Sequence, residues 1–351
     1  MKILIAAGSS GGHIFPAIAT AFRLKELDSY NEILFVGSKK GLDKEIFRNE
    51  GYSYYAISEN SQIFKDLFSS FLLLRRFKPD IAVGFGGYVS FPILLMAKIL
   101  SVPTLTHEQN LFPGLANRVL SKVVDKIAVS FNETNNFFAK KSVIKETGNP
   151  IRSSLVKLDK QKALKRLGLS NEKCTILVMG GSQGAHFINE IALDTLRDIN
   201  KTRGSQFQVI HLSGMKDFEF VRTEYKSMNI ENRVFSFFDM MSQPYSASDF
   251  VISRAGATSI AELTFFGKPA ILIPYPSVKV HQIENARFLE ENGAAILVEQ
   301  MQLSKGRLKE IILDLMDNGD KLRTMSENSS NLSRPDAAHK LALEILNVVK
   351  S

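Results

Sequence analysis

Short apolar, β-branched runs alternate along the chain with longer stretches whose apolar positions recur at helical spacing. In the first half the runs predict strands over 2–7, 32–36, 80–84, 103–106, 126–130 and 142–146. Helical patterns lie between them, for example over 14–27, 41–50, 91–100 and 113–121. The second half repeats the rhythm, with strands near 174–179, 207–212, 233–236, 249–252, 270–273 and 295–298. Its helices fall near 184–199, 217–228, 257–266, 281–292 and 304–317. Strict alternation of this kind predicts an α/β class: parallel sheets with helices on both faces, in two Rossmann-like, doubly wound domains. Gly148-Asn149-Pro150-Ile151-Arg152 punctuates the pattern and marks the seam. The predicted domains are 1–152 and 153–333. From about 334 to 351 an amphipathic helix carrying Ala338, Leu341, Leu343, Ile345 and Leu346 packs back on the first.

Within this rhythm one device occurs twice. Lys2-Ile-Leu-Ile-Ala-Ala runs into Gly8-Ser9-Ser10-Gly11-Gly12-His13, and Thr175-Ile-Leu-Val-Met runs into Gly180-Gly181-Ser182-Gln183-Gly184-Ala185-His186. A strand, a glycine turn and a helix start leave backbone N–H groups free at the positive end of a helix dipole, where an anion can sit. One copy per half predicts two domains facing a cleft. A turn that merely needs positive φ is the competing reading. The first turn lacks GxGxxG spacing, and Phe35-Val36-Gly37-Ser38-Lys39 supplies no acid after the second strand, which argues against NAD.

His13, opening a helix at a sheet's carboxyl edge, is placed for proton transfer. A third glycine cluster, Gly84-Phe85-Gly86-Gly87-Tyr88, follows another strand. His107-Glu108-Gln109-Asn110 ends the next one, either capping a helix or contacting a sugar and supporting an acid–base residue. In the second half Ser253-Arg254-Ala255-Gly256 opens a helix bearing Glu262, which either accepts both hydroxyls of a ribose or lies on a solvated face. Gln282 and Asn285 share one face of a later helix start.

Charge sharpens this picture. The net charge is +8, and residues 1–152 hold 19 Lys+Arg against 13 Asp+Glu, so the first half is the basic one. That suits an anionic membrane surface or a phosphate-bearing ligand, and no nucleic-acid module is present to favour that partner. A single cysteine, Cys174, excludes an internal disulfide and fits a reducing compartment. No export signal and no spanning helix are expected.

GSSGGHIFPA, GFGGYVSFP, HEQN, GNPIR, GGSQGA, SRAGATSIAEL and HQIENA, in this order, resemble the MurG-type UDP-N-acetylglucosamine:undecaprenyl-pyrophosphoryl-MurNAc-pentapeptide N-acetylglucosaminyltransferases of peptidoglycan synthesis. The resemblance spans essentially the whole chain and implies the GT-B fold. It implies inverting transfer of GlcNAc from UDP-GlcNAc to the MurNAc 4-hydroxyl of lipid I, giving lipid II for cell-wall biogenesis, cell shape and division. It assigns donor contacts to Ser10, Gly11, Gly12, Asn110, Arg152, Ser182, Phe238, Ala257, Thr258, Ser259, Ile260, Ala261, Glu262, Gln282 and Asn285. Phe238 departs from the family's usual aliphatic residue, and His281 stands where some members have Gln. Catalysis falls to His13 as base, with Glu108 as the second candidate. No Asp-x-Asp pair is present, so no tightly bound metal or other cofactor is expected. Lipid I, the cytoplasmic leaflet of the plasma membrane and a cell-wall synthesis complex are the implied partners.

Residues 62–78 bear on the membrane contact. They combine Ile63, Phe64, Leu67, Phe68, Phe71 and Leu72 with Lys65, Arg75, Arg76 and Lys78. This is either an amphipathic helix lying on an anionic bilayer or a core-packing helix with a solvated end. Other open readings are a GT-B transferase acting on diacylglycerol, a UDP-GlcNAc epimerase, and a two-domain binding protein without chemistry.

Overall fold

Along Lys2–Ala6 (β1) successive side chains enter opposite cores: Ile3 and Ile5 join one, Leu4 and Ala6 the other. That two-faced burial is the signature of a parallel sheet with helices on both sides. A computed structural model describes residues 1–8, 10–39, 43–57, 62–139, 143–181, 184–277 and 281–350. The chain divides into two compact units, Met1–Ser153 with Arg334–Ser351, and Ser154–Ser333.

The first unit adds Glu32–Ser38 (β2), Ser53–Ile57 (β3), Ile81–Gly84 (β4), Thr104–Glu108 (β5), Lys126–Val129 (β6) and Ile144–Glu146 (β7). The sheet is parallel, with order β3-β2-β1-β4-β5-β6-β7. The strand β3 has no counterpart in the sequence reading. It is an edge strand, and only Ile57 in it is fully buried, so its apolar pattern is weak. The helix from Ala337 to Lys350 buries Leu341, Ala342 and Ile345 in the core that holds Ile3 and Ile5. Leu341 and Ile345 each contribute about 1.5–3 kcal/mol of burial. Leu343, read as part of that stripe, is instead 40% exposed, and Ala337 takes a buried place.

The second unit holds Cys174–Met179 (β8), Phe207–Leu212 (β9), Asn232–Phe235 (β10), Phe250–Ser253 (β11), Ala270–Leu272 (β12) and Ala295–Leu297 (β13). They pair in parallel as β10-β9-β8-β11-β12-β13. Among the described residues, three α-helices lie outside the sequence pattern: Lys160–Leu167, Ser242–Ala247 and Gly319–Asn331. The first is short and highly charged, and its boundaries come from caps. Asp159 accepts from the Lys162 N–H at 3.0 Å, and Gly168 closes it at φ 63°. Among the described residues no helix is long and apolar enough to cross a membrane.

Candidate active site

In each sheet the strand order reverses at one point: between β1 and β4, and between β8 and β11. Ligands of open α/β sheets bind outside the carboxyl ends of the strands at such a point. All four glycine or small-residue turns read from the sequence leave these strands. In the first unit the helix Gly11–Leu27 after β1 packs on one face, and the helix Gly87–Ile99 after β4 packs on the other. A crevice therefore opens between the two turns.

His13 stands in that crevice. Its Nδ1 lies 3.2 Å from the Gly8 carbonyl oxygen, with the Ser10 hydroxyl at 3.4 Å. A carbonyl only accepts, so Nδ1 carries the proton and Nε2 keeps a lone pair. Gly86 and Gly87 adopt φ 84° and 70°. A Cβ at either would stand 3.3 Å from the imidazole, opposite Nε2 and Nδ1 respectively. Burial lowers the His13 pKa below 6.5, while the Gly8 bond and the charges of Glu108 and Asp43 work in the opposite direction. The ring is thus neutral at pH 7, with Nε2 able to take a proton.

Glu108 ends β5 with only 2% exposure. Its Oε1 accepts from Asn110 N–H at 2.9 Å and Asn110 Nδ2 at 3.2 Å. Its Oε2 accepts from Gly114 N–H at 3.0 Å and Asn117 Nδ2 at 2.8 Å. The carboxylate therefore organises the loop after β5 and the start of the helix Leu115–Leu120. Asn117, which the sequence reading passed over, also accepts from Thr106 Oγ1 at 2.7 Å and approaches the Gly86 turn. Its only sequence signal is an amide inside a short apolar helix.

His107 has a scaffold role. It is fully buried, and burial pulls its pKa down to about 4. Its Nε2 donates to Gly148 O at 3.0 Å, and its Nδ1 accepts from Gln109 Nε2 at 3.1 Å. This pins the Gly148–Arg152 segment to β5. Arg152 in turn lays its guanidinium over the Phe15 ring, 4.9 Å from its centre, beside the start of the helix that His13 opens. Gly11, Gly12 and Asn110 are partly exposed, and Ser10 is exposed.

In the second unit Ser182 and Gln183 lie outside the described residues. Gly184, which follows them, is sterically defined: it has φ 78°, and a Cβ there would stand 2.2 Å from Ser213 O. Only glycine lets the loops after β8 and β9 come this close. Asn189 strengthens that junction by donating to Ser213 O at 2.9 Å and Asp217 Oδ2 at 2.8 Å.

Ala257, Thr258, Ser259, Ile260, Ala261 and Glu262 form the first two turns of the helix Ala257–Phe266, directly after β11. Glu262 is 7% exposed, which removes the solvated-face reading, and its Oε2 accepts from Tyr245 Oη at 2.9 Å. Tyr245 gave no sequence signal, because its helix was not predicted. Arg254 donates from Nη1 to Ile273 O and Pro274 O at 3.0 and 3.1 Å. Gln282 Oε1 accepts from the Tyr275 N–H at 3.0 Å, and the buried Asn285 donates from Nδ2 to Ala255 O at 3.1 Å. These bonds tie the helix Gln282–Glu291 to the turns after β11 and β12. Phe238 lies in the loop after β10, its ring centre 4.4 Å from that of Phe235. Among the described residues no group of three His, Cys, Asp or Glu could hold a metal ion.

The geometry has parallels in known proteins. Residues 3–129 match the glycosyltransferase family 28 N-terminal domain, and residues 175–341 match the C-terminal domain of the same family. A Halothermothrix orenii protein named UDP-N-acetylglucosamine–N-acetylmuramyl-(pentapeptide) pyrophosphoryl-undecaprenol N-acetylglucosamine transferase is 39% identical over 97% of each chain. A Listeria welshimeri protein of the same name is 37% identical over the full length of both. The crystal structure of Acinetobacter baumannii MurG is similar at a TM-score of 0.80 and 26% identity, covering 99% of each chain. The two parallel-sheet α/β units, which the alternating pattern predicts, are those of the GT-B fold, which the family resemblance implies.

Proposed function

The chain belongs to glycosyltransferase family 28, and we propose that it transfers GlcNAc from UDP-GlcNAc to the undecaprenyl-pyrophosphoryl-MurNAc-pentapeptide acceptor, lipid I, making lipid II. The acceptor oxygen is the MurNAc 4-hydroxyl and the anomeric centre inverts. Inversion by direct displacement needs one base to take the hydroxyl proton as the sugar becomes oxocarbenium-like. The observation that carries this reading is His13, whose Nδ1 is occupied by Gly8 O and whose Nε2 is free to accept. Glu108, with both oxygens hydrogen-bonded, positions the surrounding loop rather than taking the proton.

The turn after β8 with Ser182 and the helix start at Ala257 stabilise the departing diphosphate through N–H groups. Glu262 accepts the ribose hydroxyls, the Phe238 backbone meets the uracil, and Gln282 faces the donor sugar from a helix start that Asn285 fixes. The testing experiment is UDP release from UDP-GlcNAc. It is expected with a lipid I analogue and not with diacylglycerol or without acceptor; release that ignores lipid I refutes the reading. Glu262→Ala should raise the UDP-GlcNAc KM by about 10–100-fold, the worth of one or two charged hydrogen bonds, and change kcat little. A large fall in kcat at unchanged KM would remove the ribose role.

The protein also docks on the cytoplasmic leaflet of the plasma membrane. Support comes from the helix Ile63–Phe77, whose burial is inverted relative to a core helix. It turns Asp66 and Ser70 inward together with Leu73 and Leu74, while Phe64, Phe68 and Leu72 are 85%, 62% and 51% exposed. Ile63, Leu67 and Phe71 are partly buried, and exposed Arg75 and Arg76 follow, Arg75 near the Phe71 ring. An apolar face flanked by cations fits an anionic interface. Cosedimentation with phosphatidylglycerol vesicles is expected to weaken by about tenfold or more when Phe64 and Phe68 are both replaced by Ser, given the apolar area lost. Equal binding by that variant and the wild type at low salt would contradict this contact.

A further inference from the structure

The inward face of the helix Ile63–Phe77 carries a group that a membrane anchor does not require. Asp66 is 1% exposed, and its Oδ2 accepts from Tyr88 Oη at 2.8 Å. Tyr88 is the second residue of the helix Gly87–Ile99 and directly follows the two glycines that back the His13 ring. Ser90, two residues on, ties the same turn to the sheet, donating to Gly86 O at 2.7 Å and Ala6 O at 3.1 Å. The turn beside His13 is therefore held from two sides: by Ser90 toward β1, and by Tyr88 toward the exposed apolar helix.

A buried carboxylate carries a desolvation cost that apolar side chains do not. What a directional O–H···O⁻ bond supplies is orientation. We propose that Asp66 and Tyr88 are a positioning pair: their bond seats the Gly86-Gly87 turn against His13 and connects the membrane-facing helix to the proton-accepting side chain. This inference rests on the reading of His13 as base. Neither residue touches the reacting atoms in it, and both act through the imidazole.

The test is a set of variants assayed with UDP-GlcNAc and a lipid I analogue. Tyr88→Phe keeps the ring and deletes the bond. It should lower kcat by about tenfold, the scale of a small misplacement of a catalytic group, with the UDP-GlcNAc KM unchanged. Asp66→Asn keeps an acceptor oxygen for the phenol and should retain most of the wild-type kcat. In a His13→Ala background Tyr88→Phe should have almost no further effect, because the pair works through that ring. The same fractional loss in both backgrounds, or no loss in the wild-type background, overturns the proposal. In 15N-histidine-labelled protein, Tyr88→Phe should also shift the His13 ring signals, and unchanged signals overturn it too. The base reading fails separately, if His13→Ala alone keeps full turnover, and the ring signals still report whether the pair positions His13.

Discussion

Replacing His13 with alanine should lower kcat at saturating UDP-GlcNAc by about 10²–10⁴-fold, the usual contribution of a positioned general base. The donor KM should change little, because the donor contacts argued above lie mainly on the other unit. The argument depends on which nitrogen holds the proton. Gly8 O occupies Nδ1, so the lone pair sits on Nε2, on the side where Gly86 has no side chain. His13→Gln should be nearly as inactive, since an amide fills the space without basicity. The pH profile gives the sign. A base works when deprotonated, so kcat/KM should rise with pH through the His13 pKa, and burial sets that limb below 6.5. Turnover within a few-fold of wild type in His13→Ala would move the base elsewhere.

The fold class was legible because both sheets are parallel and buried on two faces. Their strands read as apolar runs, and their helices as amphipathic intervals. The order of strands was not legible, because β3 is a half-exposed edge strand with a weak pattern, and order depends on pairing across distant segments. The site divided in the same way. His13 and Glu262 could be named because they follow glycine or small-residue turns at strand ends, Glu108 because it ends a short apolar strand in a polar run, and Asn285 because it shares a helix-start face with Gln282. Their partners could not. Tyr245 meets Glu262 from a short unpredicted helix, Asn117 meets Glu108 nine residues on, and Tyr88 meets Asp66 across two helices. None of these pairs shares a strand or a helix face, so periodicity carries no trace of them. The HEQN cluster shows the reverse case. Four adjacent polar residues read either as a cap for the next helix or as a sugar contact and acid–base support, and strand alternation sends His107 into a buried bond with Gly148 and Glu108 into the loop network before that helix.

Glu108→Gln should separate scaffold from base. The wild-type carboxylate receives four donors, two on each oxygen. An amide keeps one accepting oxygen and presents an NH₂ group to the remaining pair, so two donors face donors in a nearly closed site. The cost should be about 2–4 kcal/mol, from unmet buried hydrogen bonds and lost charge-assisted ones. For a unit of this size that is a fall in Tm of very roughly 5–15 °C. Turnover should fall as well, because Asn117 links this network to the Gly86 turn beside His13. The residual activity carries the discriminating signal. The Glu108 charge raises the His13 pKa, so removing it should move the acid limb of kcat/KM to lower pH while the limb itself persists. If Glu108 were the base, the substitution would abolish that limb, while the loss in Tm would be the same, because the four hydrogen bonds are disrupted in either case. A scaffold predicts a limb that persists at lower pH, so the titration of this one variant decides which of the two residues receives the proton, and the melt confirms that the network was disturbed.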